Sequence, residues 1–397
     1  MSQASPQASP LPPRRERARV RELGACAITS IAILLAACGA PSPAAQAPAS
    51  KASASGQTAT SELQTIIDSA KKEGQLTLTY GGSTFGGADG IKELAAGFNK
   101  AYGLNTQVQY TLGESMPAMD VKVTQEYQAK KPSSTDVLLT LADTFNTPID
   151  AHAVQAVDWR SWAPNIQKVS SPDVLAPNGT GVVVQTFLSG ISYNSNKLIG
   201  NQIPRTMADL LKPQYKGHIA STPYAVAFDW LATDAMWGYQ PTLDYVNKLR
   251  GQIAGVLRCG EQQRIASGEF DLLALDCSQT AALLQKAKGA PVDYTIPTDA
   301  ALEEYVYAAI PQTAVHPNTA KLWVNYLLSP EAQALLRKVD YADFNLLPDS
   351  FSAKLLQQAQ AGSKAKIVVA SVQYAYAHYL PDGPKHKAEF SKLFVSK

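Results

Sequence analysis

Between Leu76 and Leu141 short β-prone runs alternate with helical ones, and this alternation restricts the fold more than any other feature of the chain. Leu76-Thr77-Leu78-Thr79-Tyr80 is rich in β-formers and runs into Gly81-Gly82-Ser83-Thr84. Ile91, Leu94, Ala95, Phe98 and Tyr102 then share one helical face, which Gly103 ends. Val108, Tyr110 and Leu112 alternate as a second strand. A helix is expected near Met116 to Lys130, followed by Asp136 to Leu141, an apolar run suited to a buried parallel strand. Strand–helix–strand–helix–strand is the order of an α/β layer with right-handed crossovers. Ahead of it, Ser61 caps a helix carrying Leu63, Ile66, Ile67 and Ala70, with Gly74 as its stop.

The second half has the same style without detectable sequence repetition. A long β-prone stretch runs from Val182 to Asn194. Thr206 caps a short helix, Met207 to Leu211, and His218 to Thr222 is a strand. Ala225 to Trp237 reads as an apolar helix, Phe270 to Leu275 as a strand and Thr280 to Lys288 as a helix. Leu302 to Ile310 is β-prone, and Thr319 to Leu328 is helical. Ser329-Pro330-Glu331 opens another helix with a cap, a proline and an acid in the first turn. From Ser352 onward the chain is expected to be largely helical.

The N-terminus carries a different signal. Arg14, Arg15, Arg17, Arg19 and Arg21 precede an apolar run from Ala25 to Ala37, too short to span a bilayer, which needs about 20 residues. Leu35-Ala36-Ala37-Cys38-Gly39 resembles the lipobox of bacterial lipoproteins, which implies acylation of Cys38 as the first mature residue. From Gly39 to about Ser61, Ala, Pro, Ser, Gln and Thr predominate, as in a flexible tether. Five arginines against Glu16 and Glu22 give the leader +3, so of the net +2 the remainder carries about −1. No basic surplus is left for nucleic acid, whose phosphates would demand it. No later stretch is long and apolar enough to cross a membrane, so a soluble domain held by lipid alone is expected.

The segments, in this order, resemble the extracellular solute-binding proteins of ABC importers, in the iron(III)-transport-type branch of the type II periplasmic binding proteins. The resemblance rests on Tyr80-Gly81-Gly82-Ser83, Asp136-Val137-Leu138-Leu139 and Gly190-Ile191-Ser192-Tyr193-Asn194. It continues through Pro204, Asp209-Leu210-Leu211, Tyr215-Lys216-Gly217, Ser267-Gly268-Glu269, Gly289-Ala290-Pro291-Val292 and Leu327 to Gln333, covering about residues 62–350. It implies two α/β lobes joined by crossing strands near Phe187 to Tyr193 and Leu302 to Ile310, closing on a ligand by hinge motion. The expected division is a leader over 1–37, a tether over 38–61 and a first lobe over 62–186 with a return over 302–350. The second lobe takes 187–301, and 351–397 is a C-terminal helical segment. The expected protein is an exported monomer, anchored by lipid in the cell envelope at the outer face of the cytoplasmic membrane or in the periplasm. Its partners are a small polar or charged solute, an ABC permease and its ATPase, with no cofactor.

Ligands of open α/β sheets bind beyond the carboxyl ends of strands. That places the expected site at Gly81, Gly82, Ser83 and Thr84, whose amides open a helix and suit an anion or polar oxygen. Thr140 and Asp143 follow the third strand, with Asp143 alternatively a helix cap. Ser221, Thr222 and Tyr224 end a second-lobe strand, and Gly260, Glu261, Asp276 and Ser278 flank its neighbours. Tyr305, with Tyr307 on the second crossing, faces either the cleft or the hinge packing. Cys259 and Cys277 either form a disulfide, which an exported compartment permits, or lie as separate buried thiols.

Ferric-binding members of the branch carry adjacent tyrosines where this chain has Asp276-Cys277-Ser278, and the histidine and glutamate some members use on first-lobe loops are missing. His152, His218, His316, His378 and His386 are scattered and read as surface or packing residues, so no metal site is expected. Iron, an iron chelate, a phosphonate-like anion, a polyamine and a thiamine-like molecule all stay open as solutes. No Gly-x-Ser-x-Gly elbow, His-Glu-x-x-His or Walker loop supports catalysis, and an exported hydrolase is the alternative reading. Glu303-Glu304, facing opposite ways on a strand, reads as a solvated pair.

Overall fold

The computed structural model describes residues 61–361 and 367–395. The leader, Cys38 and the tether up to residue 60 lie outside the described residues. Two parallel strands, β1 (Gln75–Tyr80) and β2 (Gln107–Leu112), pair with each other. Between them runs helix α1 (Gly87–Tyr102), whose Ile91, Leu94 and Phe98 are buried. Phe98 packs edge-on against Trp323 at 5.3 Å, and sealing a ring of this size stabilises by roughly 1.5–3 kcal/mol.

A mixed sheet of eight strands carries the rest. Its spine is β4 (Val182–Asn194) and β9 (Ala301–Ala309), which run antiparallel from Val182↔Ala308 to Ser189↔Leu302. Beyond Gly190, β4 pairs with β7 (Leu272–Asp276) and with β8 (Val292–Thr295), both antiparallel. In the second half, β5 (Ile219–Ser221) lies parallel to β6 (Ile253–Val256) and to β7. The edge of β9 opposite β4 holds both β3 (Leu138–Leu141) and β10 (Ile367–Ala370). The result is two α/β halves joined through β4 and β9. Gly190 marks where β4 changes partners, because a Cβ there would stand 2.6 Å from the Thr295 carbonyl oxygen and the Tyr294 ring.

Three expectations are corrected. Leu138–Leu141 runs antiparallel to β9, not parallel, because the chain just before it is held to β1. Asp136 N–H donates to Thr77 O at 2.8 Å, and Thr77 N–H donates to Asp136 Oδ2 at 2.7 Å. The helix expected over Ala225 to Trp237 shrinks to α2 (Phe228–Leu231). Ala225 and Ala227 both take left-handed backbone, and Val226 N–H donates to Thr222 Oγ1, so the segment turns before it can coil. The tail is not all helical: Ile367, Val368 and Val369 form β10, parallel to β9, before helix α3 (Gly383–Val395).

The tail packs on the second half. Tyr379 stacks on Trp230 at 4.2 Å, Phe394 lies 5.2 Å from Phe228, and Tyr239 stacks on His386 at 4.4 Å. It also reaches the first half: Tyr376 donates to Asp150 Oδ1 at 2.6 Å and Gln373 Nε2 to Leu175 O at 2.8 Å.

Candidate ligand-binding site

Part of the loop after β1 is already bonded within the chain. Its residues form a tight turn, with Thr84 N–H donating to Gly81 O at 3.0 Å and Phe85 in left-handed backbone. Phe85 N–H donates to Asp340 Oδ2 at 3.0 Å, so a carboxylate of the chain itself already holds this helix entrance. Burial pushes the Asp340 carboxyl up to about 6, against the pull of Gln185, Phe85 and Gly86. Gly82 and Ser83 stay exposed, beside a cavity of about 10 Å³ bordered by Gly81, Thr84, Glu114 and Met119.

After β3, Thr140 is sealed, and its hydroxyl donates to Asp120 Oδ2 at 2.8 Å, as that of Thr144 does at 2.6 Å. Asp143 does not cap a helix. It accepts from Lys387 Nζ at 2.8 Å, across 244 residues of sequence.

In the second half the predicted residues converge on the carboxyl ends of β6, β5 and β7. Cys259, after β6, and Cys277, after β7, are joined by a disulfide with Cα atoms 5.8 Å apart. The Tyr224 hydroxyl accepts the Cys259 amide at 2.8 Å. Gly260 is exposed, with open space where a side chain would stand. Glu261 Oε2 accepts from Arg258 N–H at 2.9 Å, and Ser278 Oγ from Thr280 N–H at 3.4 Å. Ser221 is buried with its hydroxyl unpartnered, and Thr222 holds the Val226 amide. Asp276 is sealed as well. Ser192 donates to Oδ2, Gln262 Nε2 reaches both oxygens at 2.9 and 2.8 Å, and Cys277 N–H lies 2.7 Å from Oδ1. Burial pushes its carboxyl up, and those donors pull it down. It braces the loop from behind and presents no free oxygen to solvent.

Tyr305 belongs to the hinge packing, edge-on to Phe344 at 5.8 Å and 2% exposed. The neighbouring acids are not the solvated pair the sequence suggested. Glu303 is 3% exposed, and Glu304 is partly buried on the other face of β9. Strand alternation was read correctly, but packing on the faces of β9 seals Glu303 and leaves Glu304 only partly open to water.

Glu304 joins a constellation that sequence reasoning missed. Asp143 from the loop after β3 and Asp229 from α2 hold the ammonium of Lys387 from α3, and the carboxyl of Glu304 on β9 feels the charge of all three. Lys387 Nζ lies 2.8 Å from Asp143 Oδ2 and 3.6 Å from Asp229 Oδ2. The Tyr379 hydroxyl donates to the same Asp229 oxygen at 2.7 Å. The second oxygens, Oδ1 of Asp143 and of Asp229, are buried without a hydrogen-bond partner. Enclosure by protein pushes Glu304 up to about 8, helped by Asp143 and Asp229 and opposed by Lys387. Burial also raises Asp229, against the pull of Lys387 and Tyr379. Burial alone would lower Lys387; Asp229 and Asp143 outweigh it and hold the ammonium charged. No sequence signal joined these residues, because they come from four separate segments. Among the described residues no group of three or more His, Cys, Asp or Glu has the arrangement of a metal site.

A family model described as bacterial extracellular solute-binding protein matches residues 134–369, more than half of the chain. An uncharacterised protein of Haemophilus influenzae is 27% identical over 158 residues, which is 38% of this chain and 45% of that protein. The match thus spans less than half of that relative's length. Among solved structures, the spermidine/putrescine ABC transporter substrate-binding protein PotD of Streptococcus pneumoniae has a TM-score of 0.61 at 18% identity, covering 81% of this chain and 99% of that one. The apo ferric ion-binding protein A of Pasteurella haemolytica has a TM-score of 0.58 at 16% identity, covering 81% of this chain and 96% of that one. At such identities the likeness is one of fold.

Proposed function

The chain belongs to the bacterial extracellular solute-binding protein family, and we propose that it serves an ABC importer as a lipid-anchored receptor, capturing a small polar or charged solute and passing it unchanged to a permease and its ATPase. In this reading Cys38 carries the acyl chains, residues 38–61 are the tether, and the lobes divide at 187 and 302, where β4 and β9 cross. The receptor acts as a monomer in the cell envelope. Capture needs contacts that favour the closed arrangement of the halves over the open one.

One observation carries the reading beyond family membership. Asp143 comes from the first half and Asp229 from the second, and both reach one cation, the Lys387 ammonium. A group held from both halves at once is what a clamp requires. The loop that bears tyrosines in ferric-binding relatives here holds a sealed Asp276 and a disulfide, which argues against a phenolate iron site. The test is a thermal-shift screen of the purified chain against ferric citrate, phosphonates, polyamines and thiamine, since a specific ligand raises stability by mass action. One solute class should raise the melting temperature in proportion to the logarithm of its concentration. Flat curves for all of them, with turnover of an ester or glycoside, would contradict the reading.

A further inference from the structure

One ammonium meets a carboxylate from each of the two halves, and that ammonium belongs to the C-terminal helix. We propose that the Asp143–Asp229 cage is an ammonium site which Lys387 fills from within, so that the chain's own tail competes there with a cationic solute. This rests on the receptor reading above and names the solute class: a small organic cation bearing a primary ammonium.

Three features separate this cage from an ordinary ion pair. Acceptors outnumber the donor, and two oxygens, Asp143 Oδ1 and Asp229 Oδ1, are buried with no hydrogen-bond partner although Asp229 is only 1% exposed. A buried carboxylate oxygen left unpaired is costly, and a second donor group would satisfy it. The two acids also come from different halves, so whatever fills the cage adds a tie between the first half and the second. Finally, the Lys387 side chain keeps 35% of its surface accessible while the Asp229 side chain keeps none. The cage is therefore reached from solvent past the lysine, and a ligand ammonium can enter along the path the lysine occupies.

The tail is suited to competition rather than to permanent closure. Its apolar anchors, Tyr379 on Trp230 and Phe394 on Phe228, all lie on the second half. Its ties to the first half are polar: Lys387 to Asp143, Tyr376 to Asp150 and Gln373 to the Leu175 carbonyl. Polar ties exchange readily for water or for a ligand, whereas the apolar anchors keep the tail in place while they do.

Lys387→Ala leaves the cage without its ammonium, and Lys387→Met does so while keeping the apolar stem, should the alanine variant fail to fold. Each is titrated calorimetrically beside the unaltered chain with n-propylamine and 1,4-diaminobutane, and with tetramethylammonium and butyrate as controls. The proposal predicts primary amines binding the variants about tenfold or more tighter than the unaltered chain, with Asp229→Asn in the variant background abolishing the gain. Equal amine affinity in all forms overturns it, as does a gain that tetramethylammonium shares. If the amines fail but the solute screen finds another class of ligand, the ammonium site is wrong and the receptor reading stands. If nothing binds any folded form, both fall. Without any variant, 1,4-diaminobutane should speed acylation of Lys387 in the unaltered chain several-fold by mass spectrometry, and an unchanged rate counts against the proposal.

Discussion

The Tyr379 hydroxyl donates to Asp229 Oδ2 at 2.7 Å across 150 residues of sequence, so the C-terminal segment is bonded to a carboxylate deep in the second half. Tyr379→Phe keeps the ring on Trp230 but removes the only hydroxyl donor to that oxygen among the contacts described. The expected loss is about 1–3 kcal/mol in urea unfolding. An unchanged midpoint would show that the bond carries no weight.

The disulfide between Cys259 and Cys277 closes a loop with a sequence separation of 18. A loop of that size is worth roughly 3 kcal/mol in the chain-entropy model, often less. The paired Cys259→Ser, Cys277→Ser variant should melt lower. Intact mass with and without reduction before alkylation should differ, and two alkylatable thiols in the native exported protein would contradict the linkage.

Gly190 sits where β4 leaves β9 for β7 and β8, with the Thr295 carbonyl 2.6 Å from any Cβ placed there. Gly190→Ala should destabilise by about 1–3 kcal/mol, as overpacking does. The neighbouring Ser189→Ala serves as a control that adds no atoms. Equal stability of Gly190→Ala and the unaltered chain would mean that the crossing strand tolerates displacement.

Burial pushes the Asp120 carboxyl from its ordinary 3.8 up to about 8, against the donation of Thr144 and Thr140. The folded state therefore holds a proton there that the unfolded state releases. The associated stability is fully present below about pH 4 and declines as pH rises towards 8, by at most about 1.4 kcal/mol per unit. Glu304, raised to about 8, acts in the same direction. Asp120→Asn should flatten the stability curve between pH 5 and 8, read by urea midpoints at each pH. A curve that keeps its slope in the variant would assign the effect elsewhere.

Cys38→Ser should abolish incorporation of labelled palmitate and move the protein from the membrane to the soluble fraction of lysed cells. Retention at the membrane without label would contradict lipid anchorage.

Much of the fold was legible because periodicity and punctuation are local. Ile91, Leu94 and Phe98 are buried on the helix they predicted, and Ser329 caps its helix through Ala332 N–H. The strand at 182–194 declared itself by length and β-branched content, and the one at 301–309 by Tyr305, Val306 and Tyr307. Partner choice was not legible: nothing in Leu138–Leu141 says that β9, 165 or more residues away, takes it antiparallel. The cage shows the same limit more sharply. Asp143 stood out because it follows a strand, but Asp229 looked like a residue inside an apolar helix, Glu304 like a solvated acid, and nothing singled out Lys387. Only tertiary proximity gives Asp143 and Asp229 a common cation.

The central claim is reversible capture of a solute without chemistry, and calorimetric titration of the purified chain with the solute picked out by the thermal screen tests it most directly. The account predicts a saturable heat with one solute per chain, and mass spectrometry of the released solute should return its starting mass. No saturable heat for any solute class, or a solute returned as a different compound, would contradict it.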